Sequence, residues 1–313
     1  RTGTTNTIST QDIVGTASGT ISALVISTNS TTTINGNIGT DFGSLQLHGT
    51  ATNFIGTVDS LGIHLRNTAT FKNNVTVNSS YFIKIYDNAT MVVSTASSAA
   101  AITINAEIQA ENANAGTELV ISNTGANTFS GASIEKVHTI NVDQDTLFNT
   151  EITSDVAIID VATSKTADFR KDVAATNINA HNNATLIFSQ TVAHTVSSAI
   201  NNSDSGTVTV NVLNSANSEA PSAVTFSSAT FAPTTLNIGS STYGGHAIFS
   251  HSDGLEVATI NVVGGNHSSE DSTLQVNYQI TASSGLNLDD NTGDAIIIFA
   301  GDNNITVSAV VTP

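Results

Sequence analysis

The stretch Ile63-His64-Leu65-Arg66-Asn67-Thr68-Ala69-Thr70-Phe71 recurs in recognisable form as Ile83-Lys84-Ile85-Tyr86-Asp87-Asn88-Ala89-Thr90-Met91. It recurs again as Ile178-Asn179-Ala180-His181-Asn182-Asn183-Ala184-Thr185-Leu186. Aligning the alternating apolar pairs gives Leu45/Leu47, Ile63/Leu65, Ile83/Ile85, then Ile140/Val142, Ile159/Val161 and Ile178/Ala180, spaced by 18 to 20 residues where neighbours are consecutive. A period of that size is the signature of a solenoid, in which one repeat cannot bury its own apolar residues and needs the next repeat to cover them.

Each unit reads as apolar-x-apolar, a polar corner of Asn-x-Ala-Thr type, an aromatic or aliphatic residue, and a further alternating stretch such as Val75-Thr76-Val77. Alternation with period two, bounded by Asn, Thr, Asp and Gly, predicts short strands separated by corners. The expected fold is all-β: a parallel β-solenoid, or β-helix, over at least the middle of the chain. At roughly 20 residues per coil, 313 residues would make about 15 coils.

Composition agrees. Thr, Ser, Asn, Ala, Val and Ile dominate, which suits strands and turns, whereas the strong helix formers Leu, Lys, Glu, Arg and Met are scarce. The alanine-rich segment from Ser94 to Glu111 could form a short helix, but a coil with small residues facing inward is the preferred reading.

The chain divides by pattern into three regions. Residues 1–40 read as an N-terminal capping or edge region with Ile21, Leu24, Ile26 and Ile34 as inward candidates. Residues 41–196, opening at Asp41, form the repeat solenoid, with a longer loop around Glu111 to Gly116 including Asn114 and Ala115. Residues 197–313 are either further coils or a separate β domain resembling a sandwich, with turns at Pro221, Pro233 and Gly244-Gly245. The segments Asp294–Phe299 and Ile305–Val311 read as a hairpin around Gly301, Asp302, Asn303 and Asn304, its apolar run covered on both faces.

Charge narrows the function. Lys and Arg total 8 against 25 Asp and Glu, a formal net charge of −17, which argues against nucleic-acid binding. Every base lies at or before Lys171, while the 142 residues from Asp172 to Pro313 hold 11 acids. The sequence has no cysteine, so it is neither a disulfide-stapled domain nor a thiolate zinc site, and it contains no run of 18 apolar residues long enough to span a membrane. A large cysteine-free β chain suits a bacterial protein exported unfolded across an outer membrane. The chain starts at Arg1 without a signal peptide, which is expected of a mature fragment or part of a longer precursor.

Chemical motifs are sparse. Asp289-Asp290-Asn291-Thr292-Gly293-Asp294 has the oxygen density that Ca²⁺ requires, and Asp289, Asn291 and Asp294 are its candidate ligands, although the segment departs from the EF-hand pattern. Asp143/Asp145 and Glu270/Asp271 are similar corners. An acid/base enzyme would draw on Asp289/Asp290, Asp253 with Glu256, or Asp143/Asp145, because glycoside chemistry needs paired carboxylates. His138, His181, His194, His246 and His251 are scattered, and the sequence lacks a nucleophile elbow, a phosphate loop and a His-Glu-x-x-His metal motif. No catalytic residue is assigned and the chain is read as a non-enzyme. Asn74, Asn88, Asn183, Asn266 and Asn304 each open an Asn-x-Ser/Thr triplet.

The corners Asn67-Thr-Ala-Thr-Phe71, Asn88-Ala-Thr-Met91 and Asn183-Ala-Thr-Leu186 resemble those of autotransporter-type passengers, the rickettsial outer membrane protein B and surface cell antigen group in particular. The composition is also similar to that of surface-layer proteins. The resemblance implies an extracellular protein of the bacterial cell surface, either assembling into a coat, layer or filament or acting as an adhesin. Its partners would be further copies of itself, with a host-cell or glycan ligand as the alternative. A polysaccharide-active enzyme is the third reading.

Overall fold

Alternation in sequence becomes alternation in burial. In Ser44–Leu47, Phe82–Ile85, Thr139–Val142 and Thr235–Ile238 every second residue is buried and its neighbour half-buried. The computed structural model describes residues 6–8, 23–27, 29–39, 44–77, 80–94, 100–113, 116–190, 192–214, 222–301 and 307–312. All regular structure among them is strand. Of the residues singled out above, Ile21, Asp41, Asn114, Ala115, Pro221, Asp302, Asn303, Asn304, Ile305 and residues 95–99 of the alanine-rich segment lie outside the described set. Two strands, Ile102–Asn105 and Glu107–Ala110, form within the rest of that segment, and Ala106 and Ala110 are buried.

The chain forms two compact units, Arg1–Ile159 and Asp160–Pro313. In the first, each coil visits three parallel sheets. One face is a seven-stranded sheet running from Ala23–Ile26 to Glu151–Ile152. Its inward positions form a column of Leu24, Leu45, Ile63, Ile83, Ile108, Ile134 and Ile152, each paired in parallel register with the next. A second face stacks Ile34, Phe54, Phe71, Val93, Ile121 and Val142 in the same way, with the rings of Phe54 and Phe71 5.0 Å apart. The third face carries the stacked pair Phe129 and Phe148. Ile26 and Ile34 face inward as expected, and Leu24 is half-buried.

The second unit is also solenoid. Its described strands pair in parallel, which excludes the sandwich reading of residues 197–313. One inward column runs Ala167, Leu186, Val210, Leu236, Ile260 and Leu286; another runs Val196, Phe226, Phe249, Val276 and Phe299. The period loosens because coils lengthen and strands merge: Leu255–Val263 and Ile280–Asp289 have nine and ten residues, with a register shift between Val257 and Thr259. Longer coils also mean fewer of them than the estimate from a 20-residue period.

The terminal hairpin is not formed. Ala295–Phe299 pairs in parallel with Ser272–Val276, and Val307–Thr312 pairs in parallel with Ile280–Asp289, so the two segments belong to different sheets. Nor is the apolar run covered on both faces, since Ile298 and Phe299 are 40% and 44% exposed.

The six apolar pairs of the repeat do not make one column either. Leu45/Leu47, Ile63/Leu65 and Ile83/Ile85 stack on one face, whereas Ile140/Val142 pairs with Leu119 and Ile121 on another. The motif misleads because two different corners use one turn. Asn88 and Asn183 both adopt left-handed backbone, at φ of 60° and 59°, a conformation that asparagine tolerates better than most residues. The following Ala89 N–H donates to Tyr86 O at 3.0 Å and Ala184 N–H to His181 O at 2.9 Å. Both alanines are fully buried.

Outward positions are laddered too. Asn237 Nδ2 donates to Asn211 Oδ1 at 2.8 Å, Asn261 Nδ2 to Asn237 Oδ1 at 2.7 Å, and Asn287 Nδ2 to Asn261 Oδ1 at 2.7 Å. Asn237 and Asn261 thus each donate to the coil before and accept from the coil after. Phe188, stacked on Phe169 and edge-on to Phe226, is expected to cost about 3–5 kcal/mol when changed to Ala, against about 1 kcal/mol for Asn237→Ala. Urea dependence of amide hydrogen exchange in the flanking coils measures both.

Candidate functional site

The Asp289–Asp294 segment caps a coil. Asp289 ends the strand Ile280–Asp289 and is exposed. Asp290 Oδ1 accepts the Ala295 N–H at 2.8 Å, Asn291 Nδ2 donates to Ser241 O at 3.1 Å, and the Asp294 N–H donates to Asp271 Oδ1 at 2.9 Å. Thr292 and Gly293 both donate their N–H to Gly265 O. Gly293 has to be glycine here, because a Cβ would lie 2.4 Å from Glu270 O. Carboxylate oxygens of Asp271 and Asp290 therefore serve backbone amides of this turn. Among the described residues, no group of three His, Asp or Glu side chains is arranged to hold a metal ion.

Glu270 is 2% exposed. With the Asn266 amide turned to donate, its nitrogen reaches Glu270 Oε2 at 2.9 Å and Thr242 O at 3.0 Å. Asp253 and Glu256 are exposed, as are Asp143 and Asp145. Ser252 Oγ donates to Asp253 Oδ1 at 3.2 Å. Two of the Asn-x-Ser/Thr asparagines lie in the left-handed turns described above, and Asn74 Oδ1 accepts the Thr103 N–H at 2.8 Å, tying one coil to another.

The histidines prove more structured than their scatter suggested. His138 Nδ1 lies 2.9 Å from Thr139 Oγ1, and His246 is half-buried. His181, just beyond the strand Asn177–Ala180, stands between two carboxylates: Nε2 is 3.2 Å from Asp160 Oδ1 and Nδ1 is 2.9 Å from Asp204 Oδ2. These acids come from positions 21 and 23 residues away, one coil to either side. Burial lowers the His181 pKa, but the hydrogen bonds and charges of Asp204 and Asp160 outweigh it and leave it above the usual value. Asp204 is held below the ordinary carboxylate range by the Asn182 N–H and then by His181.

His194 and His251 have gone the other way. Both are buried, at 5% and 9% exposure, and burial pushes both imidazoles below their usual pKa. His194 occupies an inward column position in register with Val224, and His251 lies edge-on to Phe249 with ring centroids 6.4 Å apart. The only sequence signal for His194 is the alternation His194-Thr195-Val196, where it takes the place of an apolar residue.

Two further clusters escaped the sequence reading. Arg170 donates to Asp168 Oδ2 and to Ser189 Oγ, and Ser189 Oγ donates to Asp168 Oδ1. Arg66 lies 3.9 Å over the Tyr86 ring, while Lys84 lies 4.8 Å from it and 3.5 Å from Glu111. No helix among the described residues is long and apolar enough to cross a membrane. Comparison with known proteins finds no matching family model, no similar curated protein and no similar solved structure.

The two kinds of histidine give opposite pH responses. A raised folded pKa, as for His181, adds stability below the unfolded value of about 6.5, and that stability is lost as pH rises through the higher folded value. A depressed one, as for His194, adds stability above about pH 6.5 that is lost as pH falls towards the lower folded value. Amide exchange near Asn179–Ser203 is expected to slow in His181→Gln less than in the wild type when pH drops from 8 to 6.5, after correction for intrinsic exchange. His194→Val is expected to blunt the acceleration between pH 6.5 and 5.

Proposed function

We propose that the chain is a structural protein of the bacterial cell surface, working outside the cell by stacking with further copies of itself into a coat, layer or filament. The observation that carries this reading is the end of the inward column Val196, Phe226, Phe249, Val276 and Phe299. Its first four residues are buried, yet Phe299 is 44% exposed and its neighbour Ile298 40%. Ala295–Phe299 is the last strand of its sheet among the described residues, and its sequence, Ala-Ile-Ile-Ile-Phe, contains neither the charged residues nor the Pro that natural edges use to prevent pairing. An apolar edge of this kind suits β-strand addition from another chain.

The resemblance of the Asn-x-Ala-Thr corners to autotransporter passengers supports the same location. An adhesin acting as a monomer is the rival reading, favoured by the exposed, polar outer side of the stack. The calcium expectation enters as a condition of assembly: carboxylates gathered at Asp271 and Asp289–Asp294 repel one another, and a divalent cation would relieve that.

Electron microscopy of the purified protein, with calcium and with a chelator at matched concentration, tests the proposal. Ordered sheets, tubes or filaments are expected, and Ile298→Lys/Phe299→Lys should abolish them while leaving the far-ultraviolet spectrum of the strands unchanged. Dispersed particles in every condition would overturn the structural reading and favour the adhesin.

A further inference from the structure

On the first unit, a short corner flanked by two longer ones opens a notch. The chain passes from Ile102–Asn105 to Glu107–Ala110 through Ala106 alone. The corners before and after, between Val75–Val77 and Phe82–Ile85 and between Asn127–Phe129 and Ser133–Glu135, are longer. Ala106 lies between Tyr81 of the one and Gly131 of the other along a cavity of about 210 Å³.

Its floor depends on glycine. A Cβ on Gly131 would come within 1.8 Å of Ala106 O, so the following corner could not settle against Ala106 with any larger residue. Tyr81 forms one wall and remains 42% exposed. Asn105, Glu107 and Ser130 supply the polar groups, with Ser130 Oγ 3.5 Å from Asn105 Oδ1. Burial and then the charge of Glu135 raise the Glu107 pKa above its usual value.

This combination has a specific chemical counterpart. An exposed aromatic ring takes the apolar C–H face of a sugar ring, while a carboxylate and an amide bridge neighbouring hydroxyls, one as an acceptor and the other as both donor and acceptor. The dimensions suit one ring at a time rather than a large ligand. Two nearby carboxylates, Glu107 and Glu135, disfavour an anionic sugar. We infer that the notch lined by Tyr81, Asn105, Glu107 and Ser130 is a subsite for a single uncharged pyranose ring of a glycan. The inference does not depend on self-assembly.

The test is saturation-transfer difference NMR of the full chain with neutral oligosaccharides of glucose, galactose, mannose and N-acetylglucosamine, alongside uronate-containing oligosaccharides. At least one neutral sugar should bind, and Tyr81→Ala should weaken it by about tenfold. Tyr243→Ala, which alters another exposed tyrosine, should leave binding unchanged. Glu107→Gln, a near-isosteric change, should relax the rejection of uronates. No binding by any neutral sugar, binding indifferent to Tyr81→Ala, or a wild-type preference for uronates would each overturn the assignment.

Discussion

In-register parallel stacking of like side chains is the constraint on which everything else in this molecule depends. A column such as Leu45, Ile63, Ile83, Ile108 and Ile134 has meaning only when each residue is covered by its counterpart one coil away. Because side chains alternate between faces, a one-residue slip would expose a whole column and bury the outward polar row. Register is consequently fixed by burial inside and by the asparagine ladder Asn211, Asn237, Asn261 and Asn287 outside. Among the described residues, the column that runs through Val276 ends at Phe299, which is exposed.

Corners are where the stack acquires chemistry. Corner length varies from coil to coil, so neighbouring corners do not sit flush, and the recess at Ala106 is one result. Corner polarity varies as well. His181 joins Asp160 and Asp204 across successive coils, whereas Asp271 and Asp290 accept the backbone amides of Asp294 and Ala295. Sheets hold the stack together, and corners carry the features that distinguish one coil from another.

The all-β solenoid was legible in the sequence because period-two burial and a coil-sized repeat are both local signals. Leu45, Ile63 and Ile83 could be read as one column directly from their spacing. The pair at Ile178 could not be placed by the same rule, since the Asn-Ala turn that follows it serves more than one corner and sequence similarity reports the turn rather than the face. The terminal hairpin failed for a related reason: two apolar strands with a polar link look alike whether they pair with each other or with earlier coils. Site residues were less legible still. Tyr81, Glu107 and Ser130 lie up to 49 residues apart in sequence, and their proximity follows from corner lengths. His194 gave a faint signal through alternation, while the Asp160–His181–Asp204 row required the exact coil length to be known.

Register is the central claim, and the absence of native cysteine makes it directly measurable. Asn237 and Asn261 face outward as register partners, on strands about 4.8 Å apart, within reach of a disulfide. Under mild oxidation, Asn237→Cys/Asn261→Cys should form an intramolecular bridge rapidly, and Asn237→Cys/Ile260→Cys, shifted by one residue to the opposite face, should not. Equal bridging in both variants, or bridging in the shifted variant alone, would contradict the parallel in-register solenoid.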